Sequence, residues 1–151
     1  MEKNIYPITI KIRVEQGCFC PNHSPIANKL IDKIMYEYNS FEFEYHHHES
    51  GPEIIAWLAL GTAGLTVNKS LIDLITAIIN ACKKGKEKND NLKGKLLLIV
   101  RDTHRTKSST EEIVLEIYDN DIISPEQIQK VLEKGIDKKQ EKKKNGNSKK
   151  T

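Results

Sequence analysis

The chain has 151 residues, 38% of them hydrophobic and 30% charged, which suits one domain with a core of its own and makes a disulfide or metal staple unnecessary. That composition excludes collagen-like, mucin-like and wholly disordered proteins. The net charge of +3 hides two regions: residues 137–151 carry seven lysines against Asp137 and Glu141, leaving seventeen bases and nineteen acids in the remainder. The Lys-rich tail 137–151 has nothing to bury and is expected to be disordered and solubilising. No aromatics interleave with its lysines, so nucleic acid is not the expected partner. Residues 1–136 are expected to form a single α+β domain.

In chain order, Ile8, Ile10, Ile12 and Val14 alternate with polar residues and predict a half-buried strand. A loop holding Gly17 and Pro21 follows. Ser24 and Pro25 then read as an N-cap and a first helical proline, opening an amphipathic helix over Pro25–Asn39. Its apolar residues are Ile26, Leu30, Ile31, Ile34 and Tyr38, of which Ile26, Leu30 and Ile34 would cover the sheet. Phe41, Phe43 and Tyr45 alternate with Glu42, Glu44 and His46 and predict a second strand. Ser50-Gly51-Pro52 breaks it. Residues 52–84 are expected to be an apolar helical segment, as two helices or one broken helix. Ile54–Val67 holds no charge, Ser70 with Asp73 resembles a capping box, and lysines follow Cys82. After a polar linker over Lys83–Lys95, Leu96–Val100 predicts a central strand. Ile113, Leu115 and Ile117 complete a hairpin with it and are expected to face inward. Ser124-Pro125-Glu126-Gln127 starts a last helix, with Ile123 and Ile128 as a hydrophobic staple and Ile128 and Leu132 facing inward. The predicted architecture is β-α-β-α(α)-β-β-α, a four-stranded sheet with helices mainly on one face.

Candidate chemistry is sparse. Three cysteines cannot build a secreted disulfide framework, and Cys18 and Cys20 sit too close in sequence for an ordinary bridge. Reduced thiols and a cytoplasmic location follow as expectations, since no signal-peptide h-region or lipidation motif is present. Zinc needs about four nitrogen or sulfur ligands, which Cys18, Cys20, His23 and one of His46 or His48 could supply. Cys-x-Cys is not the usual Cys-x₂-Cys knuckle, however, so the expectation is partly buried thiols and solvated histidines, with no metal or other cofactor. Asp102 and His104 lie at a strand end where an Asp can orient a general base, yet neither a nucleophile elbow nor a phosphate-binding glycine loop accompanies them. A small hydrolase or nuclease is therefore the third choice, and no catalytic residue is assigned.

The uncharged run is the most informative segment. A helix apolar on every side must be buried in its own core, in a protein interface or in lipid. Ile54–Val67 supplies fourteen residues where a bilayer span needs about twenty. Including Lys69 and Asp73 would bring two charges into the membrane. The lysines after Cys82 keep association with an anionic membrane surface open as the alternative.

Taken together, a β-α-β start, the run EIIAWLALGTAGLTVNKSLIDLITAII, a Lys-rich exit, the pair KLLLIVRDTHR and EEIVLEIYD, and the final ISPEQIQKVLEKGI resemble the effector-associated constant component domains of bacterial conflict systems. The likeness covers most of Ile8–Ile136. The extended Lys-rich exit with Asn89-Asp90-Asn91, the Cys18-Phe19-Cys20 loop and the histidine triplet depart from it. It implies a non-enzymatic adaptor coupled to an effector in a defence or signalling system, and transfers no catalytic residue. The function expected is thus a protein-interaction module whose partner is another protein, an effector or a second copy. Ile54, Trp57, Leu58, Leu60 and Leu65 would be its docking anchors.

Overall fold

The fold is seen in a computed structural model that describes the backbone of residues 5–44, 53–61, 64–65, 69–102 and 111–135, and the side chains of residues 9–43, 54, 69–100 and 112–135. The Lys-rich tail lies outside the described residues.

The class is α+β. The strands are β1 (Ile5–Gly17), β2 (Glu42–Glu44), β3 (Glu53–Gly61), β4 (Gly64–Leu65), β5 (Leu92–Asp102) and β6 (Glu111–Ile117). The helices are α1 (Pro25–Glu37), α2 (Lys69–Glu87) and α3 (residues 125–135). The strands run in the order β2-β3-β1-β5-β6, with β4 paired to β3, and every pairing is antiparallel. The expected four strands are all present, but β3 and the short β4 join them.

The main correction concerns Glu53–Gly61, expected as helix and found as strand. An unbroken apolar run is compatible with either state, and here the β-branched pair Ile54-Ile55 and the pairing with β1 decide for strand. Gly61 and Gly64, which would weaken a helix, sit opposite each other across β3 and β4. The helical half of the segment is α2, and it continues past Cys82 to Glu87. Its apolar residues Leu71, Leu74, Ile75, Ile78 and Cys82 are buried in the chain's own core. Residues 54–82 therefore do not form one apolar helical surface for a membrane. Among the described residues, no helix is long and apolar enough to cross one.

The core is one cluster in which Ile10, Ile12 and Val14 of β1 and Leu96, Leu98 and Val100 of β5 meet Ala27 and Ile31 of α1, the α2 residues, and Ile128 and Leu132 of α3. The face of α1 is turned by one residue from the expected one: Ala27, Asn28 and Ile31 are buried, while Leu30 and Ile34 are only partly so. Ile113, expected inside, is 51% exposed. The reason is a bulge: Leu98 pairs with Leu115 and Ile99 with Ile113, so Val114 is an extra residue that reverses the alternation along β6. The start of α3 follows expectation, with Gln127 N–H donating to Ser124 Oγ at 3.2 Å and Ile123 packing on the core beside Ile128.

Candidate functional site

Two places stand out, a loop of sulfur and imidazole donors after β1 and the outer edge of β3.

The loop begins where β1 meets the start of β5. Gly17 pairs with Leu92 and has φ of 120°, and a Cβ there would collide with the Asn91 carbonyl oxygen, so glycine is required. From this point residues 18–24 are held by their own backbone. Ser24 Oγ donates to the Cys18 carbonyl at 2.7 Å, and Asn28 Nδ2 donates to the Phe19 carbonyl at 2.9 Å. The His23 and Ser24 N–H groups both donate to the Cys20 carbonyl, at 3.2 and 2.8 Å, and Asn91 N–H donates to the His23 carbonyl at 2.8 Å. Phe19 is fully buried and anchors the loop in the core.

Ser24 thus occupies the N-cap position of α1 without capping it, because its hydroxyl is committed to Cys18. Asp90 does that work from the far side of α2. Its carboxylate accepts from Ile26 N–H at 3.2 Å and from Ala27 N–H at 2.8 Å. A carboxylate at a helix N-terminus both satisfies unpaired donors and complements the helix dipole.

On this frame Cys18 Sγ lies 3.2 Å and Cys20 Sγ 2.7 Å from His23 Nδ1, and the three donor atoms fall within 4.8 Å of one another. Cys20 is buried, Cys18 half-buried and His23 exposed, so the cluster opens to solvent on one side. The two sulfurs are joined as a disulfide with the Cα atoms 5.5 Å apart. That Cα separation lies within the range disulfides span. The third cysteine, Cys82, is buried in α2, and burial pushes its thiol up from 9.0 to about 12. It has no part in the cluster.

The remaining sequence candidates divide by position. His46, His48 and His104 lie outside the described residues, as does the side chain of Asp102, whose backbone pairs with Ile8 at the end of β5. Ile54 is fully buried in the core of its own chain and so faces no partner. Trp57 and Leu58 are placed by register, opposite Pro7 and Tyr6 of β1, and Leu60 pairs with Leu65 of β4. Their side chains lie outside the described residues.

The backbone of β3 is nonetheless informative. β2 covers only Glu53, Ile54 and Ile55, and β4 covers only Leu60 and Gly61. Ala56–Ala59 have β1 as their one strand partner among the described residues. The opposite end of the sheet differs. Strand β6 is also an edge, but it carries Glu111, Glu112 and Glu116 and the bulge at Val114, features that discourage another strand from adding on.

Comparison with known protein families, with curated proteins and with solved structures finds no match in any of the three.

Proposed function

We propose that the chain is a non-enzymatic protein-interaction module that adds a partner strand to the outer edge of β3. The supporting observation is the contrast between its two sheet edges: one is charged and bulged, and the other leaves Ala56–Ala59, within the uncharged run, with no second strand partner among the described residues. An open apolar strand edge is a ready template for pairing, with main-chain hydrogen bonds supplying affinity and alternate side chains specificity. The occupant proposed is a second copy. An antiparallel pair of identical edges is self-complementary about a two-fold axis, so no further surface has to be matched. Trp57 and Leu58 lie within that stretch, and Trp57, which alternates with the core-facing Ile54, is the residue to vary. The resemblance to effector-associated constant component domains supports this reading only in predicting an accessory without catalysis, because the Ala- and Gly-containing run it assigns to a helix is β3.

Sedimentation of the purified chain across a wide concentration range tests the proposal. Wild type is expected to dimerise. Trp57→Lys, one position out of step with the core-facing Ile54 along β3, is expected to remain monomeric with an unchanged far-ultraviolet spectrum. A wild type that stays monomeric at the highest attainable concentration overturns the reading, as does dimerisation that the lysine does not weaken.

A further inference from the structure

We propose that Cys18, Cys20 and His23, with both cysteines reduced, form a zinc site whose fourth coordination position is open to solvent. The proposal does not depend on the β3 edge.

The first argument is the donor set. Two sulfurs and an imidazole nitrogen are the ligands zinc takes most readily, and all three come from one six-residue stretch. The second is geometry. A single ring nitrogen, His23 Nδ1, faces both sulfurs, at 3.2 and 2.7 Å. The disulfide accounts for the pairing of the two sulfurs, and His23 is the third donor that the loop aims at that pair. Tetrahedral zinc with bonds of about 2.0–2.3 Å places its ligand atoms roughly 3.5–3.8 Å apart. The donors must therefore spread, and the two sulfurs most, since the bond that joins them has to open first. Cys18 and His23, on the solvent side, are free to do so without disturbing the buried Phe19.

The third argument is preorganisation. The carbonyls of Cys18, Phe19, Cys20 and His23 all accept hydrogen bonds, from Ser24, Asn28, the loop backbone and Asn91. The loop is thus fixed before any ion arrives, and little ordering entropy is left to lose on binding. The bound ion would tie together the end of β1, the start of α1 and, through the His23 carbonyl, the turn before β5.

The chemistry balances as follows. A water-soluble trialkylphosphine reduces the Cys18–Cys20 disulfide. The phosphine becomes its oxide with oxygen taken from water, and the disulfide gains two electrons and two protons. Zinc then displaces both thiol protons to solvent, and His23 binds through neutral Nδ1 with its proton on Nε2.

The test uses the full chain, reduced with phosphine under anaerobic conditions and titrated with Zn²⁺ against a chromophoric chelator. A single zinc per chain is expected, with affinity falling roughly tenfold or more in Cys18→Ser and in His23→Ala. Both substitutions are at the solvent side of the loop, so the fold should survive, as far-ultraviolet dichroism would show. Co²⁺ in place of zinc should give a thiolate-to-cobalt charge-transfer band, which the His46–His48 run alone cannot produce. The proposal is overturned if the reduced chain fails to bind zinc stoichiometrically, if the cobalt spectrum lacks the thiolate band, or if Cys18→Ser binds as tightly as wild type.

Discussion

The N–H of Ala27 donates to the carboxylate of Asp90, 63 residues away in sequence, at 2.8 Å. Through this bond and its companion from Ile26, the turn after α2 caps the start of α1 and holds the donor loop against the sheet. Replacing Asp90 with alanine leaves the two N–H groups without their acceptor in a largely buried place. Unfolding in urea should show a loss of about 2–3 kcal/mol with an unchanged slope. Asp90→Asn keeps one acceptor oxygen and should lose roughly half as much.

Gly85 lies inside α2, where glycine ordinarily costs about 1 kcal/mol relative to alanine. Here the sign should reverse. A Cβ at this position would lie 2.5 Å from Asp90 Oδ2 and 2.9 Å from the Ala27 methyl carbon. The helices α1 and α2 touch where neither has bulk to spare. Gly85→Ala is therefore expected to destabilise by about 1–3 kcal/mol. A rise in the urea midpoint would show that the two helices can part without cost.

The buried thiol of Cys82 gives a dependence on pH. Its proton is held in the folded state up to about 12, against 9.0 in the unfolded chain, because burial disfavours the thiolate. Between these values the unfolded state releases the proton first, so stability is full below pH 9.0 and declines as pH rises towards 12. Cys82→Ala should flatten that decline. Mass mapping after alkylation at neutral pH should find Cys82 unmodified in the native protein and modified only in denaturant.

Much of the fold is written locally. The alternation in Ile8–Val14, the unbroken run Leu96–Val100 and the Ser124-Pro125 start each depend on neighbours within a few residues, and the structure has strand, strand and helix there. Glu53–Gly61 was not legible in this way, because an apolar run with small residues suits a covered strand as well as a buried helix, and pairing with β1 decides. The outward turn of Ile113 depends on a bulge that no periodicity reveals. In the donor loop, the residue types were visible and their convergence was not. Asn89-Asp90-Asn91 reads as linker in the sequence, and its two anchoring contacts, to α1 and to His23, exist only once α2 has folded back.

The stretch joining α2 to β5 looks like a convenient place to insert a tag: it is short, polar and at the protein surface for most of its length. Asp90 and its neighbour Asn91 make it a poor one. Lengthening it by a single residue would pull the carboxylate off one element or the amide off another, loosening the first helix and the sulfur-bearing loop together. Anyone grafting a reporter onto this protein should leave that corner alone.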